Sequence, residues 1–460
     1  MRRLRHAQPS LWEGFLAEEV AELWEPWMRE VDSILGDDDL LSAIFEAQGQ
    51  RHKQSRRLGR HQTPAEVVLR MLILKHVRNW SYETLEREVR ANLVYRSFCR
   101  IGLEKVPDAK TLVRLGQAVG PDVIRQLHER IIALAQAKQV VQGRKMRVDT
   151  TVVETNVHYP TDSSLLGDGA RVLTRTIKKV AAKKRGGLKT KIRDRMRTVK
   201  RRVMEIALAA RQKGPQGEER KKTAYRRLLS ATRKIVNQAE RVGAEIANSR
   251  GKLKKLGNEL AETVSRVRQV IRQTVARIFR AETHHPEKLV SLFEPHTEII
   301  RKGKASKPTE FGKMIQIQEA ENQIVTVYEV FEKRPWDSDL LVPAVASHRK
   351  QFGKVPRLVA ADGAFFSQAN EDALHNMGVQ QVAVPNRSTR SQERKQLQRQ
   401  RWFKQGQRWR TGCEGRISVL KRRHGLSRCR YRGLAGIKRW VGLGVLADNL
   451  VSIGNALVRA

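Results

Sequence analysis

The sequence predicts a mixed protein, part α+β and part α/β. A sheet with helices on its faces is preceded by a helical region and interrupted by a large basic helical insertion. Three observations predict this. Strand-like runs come as one strand, a hairpin, and two more strands separated by helical segments, the order of a mixed sheet. Ahead of them lie only helical segments. Between the first strand and the hairpin, residues 171–280 hold 34 basic and 8 acidic residues at helical spacing, a net of +26.

The chain of 460 residues is too long for one ordinary domain. Its formal charge of +42 favours a polyanionic partner, and a hydrophobic content of 40% supports real cores. The cysteines, Cys99, Cys413 and Cys429, have no metal-ligand spacing, which argues against a disulfide framework and a zinc ribbon. The opening MRRLRHAQPS lacks the apolar core of a signal peptide. The longest apolar run, 441–457, carries Asp448, Asn449 and Asn455, so no membrane partner is expected.

Residues 1–60 read as an acidic helical arm. From 11 to 50, eleven acidic residues stand against Arg29 alone. Leu11, Phe15, Val20, Leu23, Trp24, Trp27, Val31 and Leu35 recur at roughly helical spacing. That suits a self-association helix or a terminal helix packed on its own domain. Residues 61–140 read as a helix-turn-helix-like DNA-binding domain. Thr63-Pro64 starts a helix, Asn79-Trp80-Ser81 breaks it, 82–90 and 94–101 continue, and Pro107-Asp108 opens AKTLVRLGQAV. Lys110 and Arg114 would then face DNA, with Arg87 and Arg90; a plain helical bundle has the same pattern.

Residues 171–284 form the insertion. Ile192, Met196, Val199, Val203 and Ile206 are spaced 4, 3, 4 and 3 apart. Two further seams follow the breaks at Gly214-Pro215 and Arg250-Gly251. Antiparallel helices with a thin apolar seam and a wet basic exterior are expected, as a clamp on DNA phosphates or a brace for a dimer.

Residues 141–170 and 285–460 hold the strands: MRVDTTVV, MIQIQEAENQIVTVYEVF with a turn at Glu321-Asn322, RLVAADGAFF and QQVAV. Asp149 sits in a β-branched run, where an unpartnered carboxylate is costly to bury. Asp362 ends an apolar run beside Gly363, at the strand edge where open α/β sheets bind ligands. Each alone reads first as a turn or capping aspartate; together they resemble the start of a metal site. A phosphoryl-transfer centre needs a third hard oxygen ligand. Glu371 and Asp372 follow too soon, Glu393 lies in SQERKQLQRQ, expected to be solvated mobile chain, and Asp448 lies in a core-packing terminal helix. Glu414 remains. Arg410, Glu414 and Lys421 share one helical face, suited to a metal flanked by phosphate contacts or to a surface ion-pair ladder.

With these residues assembled, most of the chain resembles bacterial insertion-sequence transposases of the DDE type, which have an RNase H-like catalytic domain. The segment TPAEVVLRMLILKHVRNWSYETLEREVRANLVYRSFCRIG with VPDAKTLVRL is similar to their N-terminal domain. RVDTTVVETNVHYPTDSSLL and LVAADGAFFS are similar to the stretches around their first two catalytic aspartates. In related families the glutamate helix reads Tyr-x2-Arg-x3-Glu-x6-Lys; Arg410, Glu414 and Lys421 match, and Gln407 replaces the tyrosine.

The resemblance implies a metal-dependent polynucleotidyl transferase. Asp149, Asp362 and Glu414 would hold two Mg2+ ions, with Mn2+ as a substitute. It implies double-stranded DNA partners, both element ends and target, a homo-oligomer (a dimer) on that DNA, and a bacterial cytoplasmic, nucleoid-associated location. Arg410 and Lys421 would meet phosphates. His158, with Tyr159 and Asp162, follows the first strand and would touch the scissile DNA or serve as plain loop. Trp409 would stack on an unpaired base or pack in the core. The rival readings are a non-catalytic DNA-binding regulator derived from a transposase, and another RNase H-like nuclease such as a resolvase.

Overall fold

The computed structural model describes residues 2–6, 18–50, 54, 62–285, 288–301 and 308–460. They fall into two units: unit 1 is Met1–Asn156 with Ile300–Ala460, and unit 2 is Val157–Ile299.

Unit 1 begins with helices α1 (Pro26–Leu35), α2 (Asp38–Gly49), α3 (Ala65–Val77), α4 (Tyr82–Ala91), α5 (Leu93–Phe98), α6 (Ala109–Ala118) and α7 (Pro121–Ala137). Their boundaries have local causes. Side-chain oxygens of Asp37, Ser81, Asn92 and Asp108 accept backbone N–H groups at the starts of α2, α4, α5 and α6. Asn79 adopts φ 52°, a left-handed turn that separates α3 from α4. The start of α3 lies one residue later than expected: Pro64 itself is the N-cap, and no side chain caps that end.

Of the acidic segment, Leu11 and Phe15 lie outside the described residues. Trp24 and Trp27 pack edge-on against Phe98, and Val31 and Leu35 are fully buried. Some of the carboxylates pair within the unit: Asp32 with Arg70 and Arg100, and Asp37 with Arg130. This part of the segment therefore packs on its own unit.

The sheet of unit 1 comprises β1 (Lys145–Glu154), β3 (Glu310–Glu319), β4 (Val325–Val330), β5 (Leu358–Ala360) and β6 (Gln381–Ala383). The short β2 (Glu298–Ile300) marks the return from unit 2. The order runs β3-β1-β5-β6, with β4 also paired to β3. β1 is antiparallel to β3 and parallel to β5, and β5 is parallel to β6. The expected turn at Glu321-Asn322 closes β3 on β4, with Asn322 at φ 52°. The Glu321 carboxylate accepts the backbone N–H groups of Gly143, Arg144 and Lys145, which anchors the hairpin to the start of β1.

Among the described residues, five α-helices complete the unit: α12 (Leu341–Phe352), α13 (Gln368–Asn376), α14 (Gln392–Arg399), α15 (Arg401–Arg423) and α16 (Gly433–Val458). The SQERKQLQRQ segment, expected as mobile chain, is α14, capped by Ser391. α16 is long and apolar enough to cross a membrane by length and composition, yet 72% of its most apolar window is buried, the pattern of a core helix. It packs against α1, α3 and α7. Two glycines let α15 lie close to the sheet. A Cβ at Gly406 would stand 2.7 Å from the Ala383 methyl, and one at Gly412 would overlap the Arg147 guanidinium.

Unit 2 is formed mainly by α8 (Asp162–Lys183), α9 (Met196–Ala209), α10 (Pro215–Glu245) and α11 (Gly251–Phe279) around one apolar core. Pro215 opens α10 behind Gly214, whose φ of 91° ends the preceding turn. Side-chain pairs set the directions. Asp162 with Arg277 and Thr176 with Glu259 run α8 antiparallel to α11, and Glu240 with Arg268 runs α10 antiparallel to α11. Glu245 accepts hydrogen bonds from Thr190, Lys184 and the Lys189 backbone, which hold its carboxyl down to about 2.

Candidate active site

The site is built where β1 and β5 run side by side. Their parallel pairing proceeds Lys145↔Leu358, Met146↔Val359, Arg147↔Ala360. Asp149 and Asp362 each lie two residues beyond the last pair, so the two carboxylates leave neighbouring strands at the same level. Asp149 is opposite Ile317 on β3. Its Oδ1 accepts the Thr150 N–H at 2.7 Å. Asp362 accepts the Ala364 N–H at 2.9 Å and so caps the turn that follows β5. The capping role is real, and it fixes the carboxylate at the strand end.

Helix α15 supplies the remaining groups. Arg410 Nη2 donates to Glu414 Oε1 at 2.7 Å, and Arg410 Nη1 lies 3.9 Å from Asp149 Oδ2. One guanidinium thus spans the carboxylate of β1 and that of the helix. Arg410 and Asp149 side chains are 12% and 13% exposed, whereas Glu414 is 58% exposed. The third acid therefore stands at the open side.

Behind these groups lies a sealed layer. Glu319 on β3 is fully buried and pairs with Arg147 on β1. Burial pushes the Glu319 carboxyl up, and the Arg147 guanidinium opposes that shift. Arg147 also donates to the Trp409 carbonyl at 2.6 Å and lies 4.9 Å over the Trp409 ring. Cys413 is buried in the same layer, its thiol pushed well up by desolvation and by the Glu319 and Asp149 carboxylates. Gln407 Nε2 donates to the carbonyls of Ala361, at 3.1 Å, and Ala383. Where the related pattern has tyrosine, this chain has a tie between α15 and the ends of β5 and β6.

The other expected residues have these positions. Lys421 is on the last turn of α15, partly buried. Trp409 is partly buried against the cluster of Leu358, Ala360 and Phe403, with Arg147 over its ring. Lys110 and Arg114 are exposed on α6, where Arg114 donates to Thr111 Oγ1. His158 belongs to unit 2, exposed, its Nε2 3.9 Å from the Asp168 carboxylate. Asp162 is buried in the first turn of α8 against Arg277.

Sequence reasoning missed Arg387. With Asn386 and Ser388 it lines a cleft of about 400 Å3 that opens onto Asp362. The signal was available: these residues follow β6, a parallel strand, at the edge where ligands bind.

Among the described residues no three His, Cys, Asp or Glu side chains converge closely enough to hold an ion as they stand. In chemistry the donor set fits a hard divalent cation, since every candidate ligand is a carboxylate oxygen. The Arg410 guanidinium also shows that the gap between Asp149 and Glu414 is arranged around positive charge.

No curated protein and no solved structure matches the chain. Two family descriptions do. A transposase domain (DUF772) matches residues 26–117, which span α1 to the last turn of α6, and a transposase DDE domain matches residues 375–453, which include Arg410, Glu414 and Lys421. The transposase domain over the first helices and the DDE domain over the glutamate helix together support an insertion-sequence DDE transposase.

Proposed function

We propose that the protein cuts DNA at the ends of an insertion sequence and joins those ends to target DNA, with Asp149, Asp362 and Glu414 as the metal-holding carboxylates. The observation that carries this is the single guanidinium spanning Asp149 and Glu414, with Asp362 at the level of Asp149 on the neighbouring strand. The mixed sheet with α15 against it supports an RNase H-like core for these acids. In the first step water attacks a backbone phosphate, a new P–O bond forms, and the bond to the departing 3′ oxygen breaks. In the second the freed 3′-OH attacks a target phosphate and displaces another 3′ oxygen. Two Mg2+ ions, held by the three carboxylates, would supply Lewis-acid stabilisation of the charge that develops on the phosphate. Arg410 is placed to turn from its carboxylate partners to a phosphate, and Lys421 extends the same helical face. Lys110 and Arg114 on α6 and the basic exterior of unit 2 would hold flanking duplex, with two copies of the chain on one DNA complex.

Asp149→Asn, Asp362→Asn and Glu414→Gln test the assignment. Each is expected to reduce Mg2+-dependent cleavage of end-containing DNA by about 10³-fold or more, since each removes charge stabilisation of several kcal/mol. Binding in gel-shift assays should change little. A variant that cleaves at near wild-type rate removes its residue from the site.

A further inference from the structure

A second concave surface of unit 1 lies on the other side of α15. Arg416 follows Glu414 by two residues, about 200° around the helix, and Arg423 follows it by nine, about 180°. Both therefore face away from the carboxylate site. They line a cleft of about 960 Å3 together with residues of α1, α16 and the turns after α3 and β3.

The floor of this cleft is buried and polar. Arg416 Nη1 donates to Asp448 Oδ1 at 2.6 Å, and His424 Nε2 lies 3.4 Å from the same oxygen. His424 Nδ1 lies 3.2 Å from the His76 carbonyl. That carbonyl can only accept, so Nδ1 carries a proton. Asp448 is 1% exposed, and its Oδ2 has no hydrogen-bond partner among the described residues; the same holds for Arg416 Nε. A buried polar group left unpaired costs about 1–3 kcal/mol. Their two residues line the floor of the cleft. The rim adds Arg422, Arg423 and Arg459, all exposed and none in an ion pair among the described residues.

The rim asks for phosphate and the floor for a ligand that donates hydrogen bonds to a carboxylate. In a duplex the base edges that could reach such a floor are paired and stacked; a single extruded or terminal nucleotide presents them free. We propose that this cleft is a second nucleic-acid site that takes one unpaired nucleotide of a DNA strand, its phosphate on Arg422, Arg423 and Arg459 and its base edge against Asp448 and Asn455. The inference rests on the reading that the chain acts on DNA. It does not depend on the carboxylate site being catalytic.

The test uses the full chain in EDTA, so that no cleavage intervenes, and fluorescence anisotropy with three DNAs: a blunt duplex, the same duplex with a short single-stranded extension, and that extension made abasic. The extension is expected to tighten binding roughly tenfold, and the abasic form to lose most of that gain. Arg423→Ala with Arg459→Ala should return the extended DNA to blunt affinity and leave the blunt duplex unaffected. Asn455→Ala should remove only the difference between base-bearing and abasic extensions. Equal affinity for all three DNAs, or an equal loss on blunt and extended DNA in the double variant, overturns the site. Displacement of the extended DNA by a deoxynucleoside monophosphate at a concentration below that of the strand overturns it in favour of a free nucleotide. A chain that binds none of the three DNAs refutes the proposed function as well, which separates the two failures.

Discussion

Helix α15 carries two arginine–carboxylate sets that differ in one physical respect. Arg410 bridges Asp149 and Glu414 at an open edge, where Glu414 is mostly exposed. Arg416, less than two turns later, meets Asp448 in a setting where both side chains are almost wholly buried. An exposed carboxylate such as Glu414 exchanges partners at little cost, because water screens its charge. A buried pair cannot, because each charge left alone has lost its hydration. The same two residue types thus make an exchangeable bridge on one face and, on the other, a fixed brace at the floor of the second cleft.

Substitutions on the two faces should therefore fail in different ways. Glu414→Gln is expected to produce the largest effect, the loss of cleavage by about 10³-fold or more. Its urea midpoint should move little, since exposed pairs contribute at most about 1 kcal/mol. Arg416→Met should do the reverse and lower the unfolding free energy by about 3–5 kcal/mol, because Asp448 is left buried without its cation. Arg416→Met combined with Asp448→Leu should recover much of that loss. If Arg416→Met unfolds like wild type in urea, the burial contrast between the two faces is wrong.

A third buried cation sharpens the contrast, since its neighbours are rings rather than a carboxylate. Lys75 on α3 is 2% exposed, with Nζ within 5.5 Å of the ring centres of Tyr82, Tyr431 and Trp440. Burial, with Arg430 nearby, pushes its ammonium from 10.5 to about 7. Between those values the unfolded chain holds a proton that the folded chain lacks, so stability rises with pH from about 7 towards 10.5. Below pH 7 both states are protonated and the full penalty applies. That penalty is on the order of a few kcal/mol, partly offset by the ring faces. Lys75→Met should raise stability at pH 7 and flatten the rise between pH 7 and 9 in urea titrations. A variant with the wild-type slope would assign the pH dependence to other groups.

How far such features can be read from sequence depends on how far apart the partners lie. The placement of Asp149 and Asp362 on neighbouring strands is legible because each stands inside or at the end of a β-branched or apolar run, and the strands around them are local signals. Glu414 is legible from its spacing to Arg410, which the structure preserves as an i,i+4 hydrogen bond. The acidic segment leaves self-association and packing on its own domain both open, because the arginines that pair with Asp32 and Asp37, namely Arg70, Arg100 and Arg130, lie 38, 68 and 93 residues beyond their partners. Asp448 reads as a core helix residue, which it is, but its arginine lies on another helix, 32 residues away. Helical periodicity marks which side is buried; it does not say which charges meet there.

The smallest expected effect concerns Gln407, which ties α15 to the sheet. Its amide donates to two strand-end carbonyls, Ala361 and Ala383, and Ala361 immediately precedes Asp362. Gln407→Ala removes both hydrogen bonds. Because the residue is only partly buried, water can reach the carbonyls, so the expected loss is about 1 kcal/mol of stability. The effect on cleavage should be larger than that stability loss alone implies. Asp362 and Glu414 come from the two elements that Gln407 links, and small misplacements of reacting groups are costly. A fall of roughly tenfold in cleavage, with DNA affinity unchanged, is expected. Gln407→Glu supplies the discriminating control. A carboxylate cannot donate to a carbonyl, so it should be at least as impaired as alanine if the hydrogen bonds matter. If Gln407→Glu instead retains wild-type cleavage and stability, the two donated bonds are incidental, and α15 is held to the sheet by its apolar contacts and close-packed glycines.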